Sequence, residues 1–293
     1  MNYLLHTLVM VMIYVVLAQS MNLQLGYAGL YNLGHVAFFG IGAYTSALIA
    51  MAGWPEELGM AVAMLVAGGC GALVAFPVLR LTGDFFGIAT LAFAEMAYIF
   101  FLNERWLTNG PMGLPGIPRP QWIGQELTAL PLYLLMALLL TVAAHLGLRR
   151  LVKSPFGRAL KVVREDEQVA RALGKNVLAL KIKAVAVGTG LAGLAGALWA
   201  HYVTYISPAD FTLQTTILIL LCVVLGGKGS LHGPILGAII VIFFQEGLRF
   251  LPIPADLNRF VAPIQGMVFG LALIVLMRKR PSGIWPEHRR KKN

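Results

Sequence analysis

Residues 129–148 read ALPLYLLMALLLTVAAHLGL, and residues 149–183 read RRLVKSPFGRALKVVREDEQVARALGKNVLALKIK. The first run holds no charged residue and has the length of about 20 residues that a helix needs to cross a bilayer core. The second holds ten of the 23 Lys and Arg in the chain. An uncharged run of helical length that stops at a block of charge reads as a membrane span ending at a surface.

The rest of the chain repeats that pattern. Hydrophobic residues make up 58% and charged residues 12%, with a mean hydropathy of +0.75. Soluble domains carry about a quarter charged residues. Candidate spans are 4–20, 34–52, 59–80, 85–102, 129–148, 180–200, 212–226, 233–250 and 261–277. The alternating segments of about 10 residues that a β-barrel needs do not occur. The expected fold is therefore all-α: a polytopic helical membrane protein with eight or nine transmembrane helices. The opening MNYLLHTLVMVMIYVVLAQS lacks the basic start of a signal peptide and reads as the first span. The polar, Gly-rich NLQLGYAGLYN, residues 22–32, is a poor span and reads as a re-entrant or broken segment.

Charge sets the orientation. The stretch 149–183 and the tail 278–293 together hold 17 of the 23 basic residues. MAGWPEELG (51–59) and ISPADF (206–211) carry acids and no base, and loop 103–127 has two of each sign. The positive-inside rule places 149–183 and the C-terminal tail in the cytoplasm and the N-terminus outside. Because the basic residues follow topology, they point to lipid rather than to nucleic acid.

The charged stretch has internal order. Ser154-Pro155 is an N-cap and first-turn pair. Phe156, Leu160 and Val163 share one helical face. Asp166 can cap a second short helix with Val169, Ala172 and Leu173 as its apolar stripe, and Gly174 stops it. Two amphipathic helices at the cytoplasmic face result. They could rest on lipid, but the small second helix better suits a groove on another protein.

At this point SPFGRALKVVREDEQVARALGKNV resembles the cytoplasmic loop of LivM-type permeases, the membrane subunits of branched-chain amino acid ABC importers. LGYAGLYNLGHVAFFGIGAYTSALI, LRLTGDFFGIATLAFAEM, TNGPMGLPGIPRP, GLAGALWAHYVTYISPADFT and VVLGGKGSLHGPILGA agree in the same order and cover most of the chain. The resemblance implies a permease domain spanning 1–293, with a coupling loop at about 149–179 and a basic tail. It also implies a LivH-like second permease, two ATPase subunits, an extracytoplasmic binding protein and an amino acid substrate in a bacterial or archaeal cytoplasmic membrane. On it, Arg164, Asp166, Glu167, Ala170, Leu173 and Gly174 couple the chain to an ATPase. The loop departs from the common E-A-A-x-x-x-G pattern, because the acid, Glu167, sits one place early.

Other stretches carry weaker signals. LGGKGS around Lys228 lacks the Ser or Thr and the glycine spacing of a phosphate loop, so it reads as a tight turn and ATP hydrolysis is assigned to another chain. No cofactor or metal is expected: His6, His145, His201, His232 and His288 have no ligand spacing, and Cys70 and Cys222 sit in apolar runs. GTGLAGLAGA reads as helix packing. Asn22, Gly26, Tyr27, Gly29, Asn32 and His35 form a candidate substrate path, since broken helices at membrane depth occur where backbone lines a cavity. Close packing through small residues is the other reading. Glu95 lies in mid-span, where a carboxylate needs a partner or water. It is a path residue, a structural pair, a protonated carboxyl bonded to a neighbouring carbonyl, or the proton site of a secondary transporter. A permease for other amino acids or small amides stays open.

Overall fold

The computed structural model describes residues 2–80, 85–122, 125–126 and 130–247, with positions 267, 270, 271, 274, 275, 278 and 283–286. Its helices are α1 (Asn2–Asn22), α2 (His35–Met51), α3 (Glu56–Val78), α4 (Phe85–Asn103), the one-turn α5 (Arg105–Thr108), α6 (Leu130–Lys153), α7 (Pro155–Glu165), α8 (Glu167–Ala172), α9 (Val177–Val203), α10 (Leu213–Gly226) and α11 (Gly233–Gly247). Each of the first eight expected spans falls largely on one of them, residues 248–250 of the eighth lying outside the described residues. Among the described residues six helical stretches are long and apolar enough to cross a membrane, and α2 and α11 are shorter apolar helices. The protein is a multi-pass helical membrane protein. The expected ninth span, 261–277, and the basic tail, 278–293, lie outside the described residues apart from the isolated positions above.

Burial separates centre from rim. Two thirds (67%) of the apolar window of α1 is buried, and 56% of that of α9, against 22% for α3, α4 and α6. The rim helices turn Leu65, Leu73, Ile88, Met96 and Leu139 outward, which suits hydrocarbon and not water. Small residues let the central helices approach closely. A Cβ added at Gly42 on α2 would lie 2.2 Å from the Gly193 carbonyl oxygen on α9. The Gly-rich run of α9 is thus packing surface, as its pattern suggests.

Polar side chains then pin the helices at one end. His201 donates from Nδ1 to the Pro118 carbonyl at 2.8 Å and accepts at Nε2 from Ser46 Oγ at 2.8 Å. Leu114–Pro115 pairs antiparallel with Tyr205–Ile206. These contacts bring the α2–α3 turn, residues 103–118 and residues 204–212 to one end. The polar stretch 154–176 and the Gly turn at 227–230 lie at the other.

Candidate functional site

The polar stretch builds two short helices, as its sequence suggests. Pro155 occupies the first turn of α7 with Ser154 before it, but the Ser154 hydroxyl donates back to Leu151 O at 2.6 Å and does not cap α7. Leu160 and Val163 are buried and Phe156 is half-buried. Asp166 is extended and ends α7, and its Oδ1 accepts from Gln168 N at 2.7 Å and Val169 N at 3.1 Å to start α8. Gly174 closes α8 in the left-handed region, φ +70°. There Lys175 N donates to Ala170 O at 3.1 Å and Gly174 N to Arg171 O at 2.9 Å, the two bonds of a Schellman stop.

The faces of α8 differ in burial. Ala170 is fully buried and packs with Val163 and Val177 of the same chain. Its small size serves the chain's own packing. Val169 and Leu173 are 49% and 63% exposed, with Arg171 and Ala172 exposed beside them. A helix of under two turns can bury only one narrow face, and it buries the alanine. Glu167 also faces home: it pairs with Lys181 of α9 and, at 3.5 Å, with Arg171. Arg164 turns away from the outer surface. Its guanidinium donates to the Gly26 carbonyl and, at 2.8 Å, to Glu165.

The segment that Arg164 reaches is broken, as its glycines and polar residues suggest. After α1 the chain makes a π-turn, Leu23–Tyr27, and loses helical form over 29–34 before α2 begins. Gly29 turns with φ +72°. The freed backbone groups find side chains on other helices. Leu33 N donates to Thr90 Oγ1 at 3.1 Å, and Val36 N to Thr216 Oγ1 at 3.3 Å. Neither threonine stands out in its own span, so no local pattern could have marked it.

The candidate path residues here are mostly committed to holding the segment. Asn22 donates to Ser230 O at 2.8 Å and accepts from Gly229 N at 2.9 Å. That pair ties the turn around Lys228 to α1, and the Gly229 amide that a phosphate would need is already occupied. Asn32 donates to Gln24 Oε1 at 2.8 Å and accepts from Gly34 N at 3.0 Å. His35 Nε2 meets Ser20 Oγ at 2.7 Å, and that hydroxyl donates to Leu17 O. Tyr27 is buried beneath Lys161, whose ammonium lies 5.3 Å from the ring centroid. Gln24 Nε2 and His35 Nδ1 are buried without a hydrogen-bond partner among the described residues, at a cost of about 1–3 kcal/mol for each such group.

Glu95 stands apart from that set. It is exposed on α4 and lines a cavity of about 350 Å³ with Tyr98, Thr212 and Gln214, and with the apolar Val36 and Leu213. Val36 is the second residue of α2, so the cavity abuts the end of the broken segment. Among the described residues Glu95 makes no hydrogen bond or ion pair. A mid-span carboxylate in that state faces a polar space or another subunit, because hydrocarbon is too costly for it.

Comparison with known proteins agrees with this architecture. The profile of a family described as branched-chain amino acid transport system / permease component matches residues 3–277. The chain is 34% identical to the high-affinity branched-chain amino acid transport system permease protein LivM of Salmonella typhimurium, over 94% of this chain and 68% of that one. It is 25% identical to a probable branched-chain amino acid transport permease protein LivM of Methanocaldococcus jannaschii, over 94% and 91%. It is 29% identical to the autoinducer 2 import system permease protein LsrC of Photorhabdus laumondii, over 66% and 56%. No solved structure matches the chain.

Proposed function

The chain belongs to the family of branched-chain amino acid transport system permease components, and from that membership we propose that it forms half of the translocation path of an ATP-binding-cassette importer for branched-chain amino acids. The whole chain, 1–293, acts as one permease domain in a bacterial or archaeal cytoplasmic membrane. Its N-terminus is outside and its basic tail lies at the cytoplasmic lipid surface. A LivH-like permease completes the path, two ATPase subunits hydrolyse the ATP, and an extracytoplasmic binding protein delivers the substrate.

The observation that carries the coupling role is the outward stripe of Val169 and Leu173 on a helix that is otherwise anchored to its own chain. A capped, Schellman-terminated helix with two exposed aliphatic side chains is shaped for a groove on a soluble subunit. Asp166 and Gly174 fix its two ends. Glu167, Arg164 and Ala170 hold it to the body, so the ATPase meets Leu173 and the loop moves as a unit. At the other site, Glu95 supplies one negative charge to a cavity whose walls mix Tyr98, Thr212 and Gln214 with the apolar Val36, Phe211 and Leu213, which suits the ammonium group and side chain of an aliphatic zwitterion. Asn22, Gly26, Tyr27, Gly29, Asn32 and His35 position the backbone beside that cavity and need not touch substrate.

Reconstitution in vesicles with the partner permease, the ATPases and the binding protein tests this. ATP-dependent uptake of labelled leucine, isoleucine or valine is the expected result, and absence of ATP-dependent uptake of all three refutes it. The likeness to LsrC, an autoinducer 2 import system permease protein, favours one second reading, an import permease for a different solute. Uptake that follows the ligand of the binding protein and excludes aliphatic amino acids would establish it.

A further inference from the structure

Resting on the reading of the polar loop as the ATPase contact, we propose that Arg164 is a positioning residue through which that loop holds and shifts the broken segment after α1. Arg164 lies in the last turn of α7 with its side chain only 17% exposed. The guanidinium donates to the Gly26 carbonyl within the π-turn. Its aliphatic part lies over Gly29, where an added Cβ would sit 3.1 Å from Arg164 Cγ. One turn earlier on the same face, Lys161 covers the Tyr27 ring. Two cations spaced i, i+3 on α7 therefore grip the π-turn and its exit.

The two ends of the gripped segment differ. Its start is tied by Asn22 to the 229–230 turn. At its exit Gly29 lies against Arg164 of α7, and α7 is joined to α8 through Val163, Ala170 and the shared Asp166. A push on the outward face of α8 thus reaches Gly26 through a short chain of packed groups. Beyond Gly29 the segment leads to Asn32 and then to Val36 in the wall of the Glu95 cavity. π-turns inside α-helices often sit at functional sites, and this one carries a charged donor from the loop that answers to ATP.

The test uses Arg164→Gln and Arg164→Lys, with Arg158→Gln as a charge-loss control on the exposed side of α7. In the reconstituted complex, Arg164→Gln should recover its ATPase subunits normally yet raise the ATP spent per substrate imported by about tenfold, within the range usual for coupled sites. Arg164→Lys keeps the charge without the planar fork and should fall between, and the control should match wild type. In the chain alone, hydrogen exchange at residues 24–34 should speed up in Arg164→Gln while that of α9 stays the same. Unchanged exchange there, or uptake and hydrolysis falling together at a constant ratio, overturns the proposal. If the wild-type complex imports nothing with ATP, the importer reading fails instead, and the exchange comparison still decides whether Arg164 holds the segment.

Discussion

At Gly174, φ is +70° and no atom lies within 4 Å of the place a Cβ would take. Any loss from substitution there is conformational and not steric. Gly174→Ala should destabilise the stop of α8 by about 1–2 kcal/mol, Gly174→Val by more, and Gly174→Asn by less because asparagine tolerates the left-handed region. Recovery of ATPase subunits with each variant should follow that order. Asn22 is the opposite case, since both ends of its amide are used. Asn22→Ala strands the Gly229 amide and the Ser230 carbonyl and should lower stability by about 1–3 kcal/mol, read as a fall in the thermal unfolding midpoint of the purified chain. At Glu95 the charge itself is in question. Glu95→Gln should retain more uptake than Glu95→Lys, which places a strongly hydrated cation at the same depth. Complete loss of uptake in the Gln variant, with normal assembly, would mean that the ionised carboxylate or its proton is essential.

At the scale of the element, α8 is too short to be stable by propensity. It depends on the Asp166 cap, the Schellman stop and one buried alanine. Asp166→Ala should cost about 1 kcal/mol and loosen α8 without disturbing the spans, visible as faster amide exchange confined to 167–174. Leu173→Asp and Val169→Asp alter exposed side chains. Both should leave the chain inserted and folded while reducing capture of ATPase subunits. Normal capture by both would remove the outward stripe from the coupling role. Ala170→Trp is a different experiment, because the ring would have to displace Val163 or Val177 in the chain's own core. Loss of coupling in that variant would report on the seat of α8 and not on a partner groove.

Across the whole molecule, contacts between distant parts of the chain join what the sequence presents as separate motifs, and the sites differ in how much of each was legible. The spans were legible because burying a backbone in hydrocarbon demands helices of one length and polarity, a demand that each apolar run meets on its own. The ends of α7 and α8 were legible for the same kind of reason, since caps and glycine stops act within a few residues of themselves. The break after α1 was legible from its glycines and polar residues. What fills it was not, because Thr90, Thr216, Gly229 and Arg164 come from far along the chain. By itself the sequence determined the class of fold, the positions of eight helices, the polar loop and its two short helices. Only the tertiary structure decided that Ala170 faces inward, that Asn22 is a clamp on the Lys228 turn, that Glu95 opens on a cavity and that Arg164 reaches back to Gly26. Hydrophobicity, capping and turn chemistry are local and leave local marks, whereas the direction of a side chain is chosen by whichever distant element packs against it.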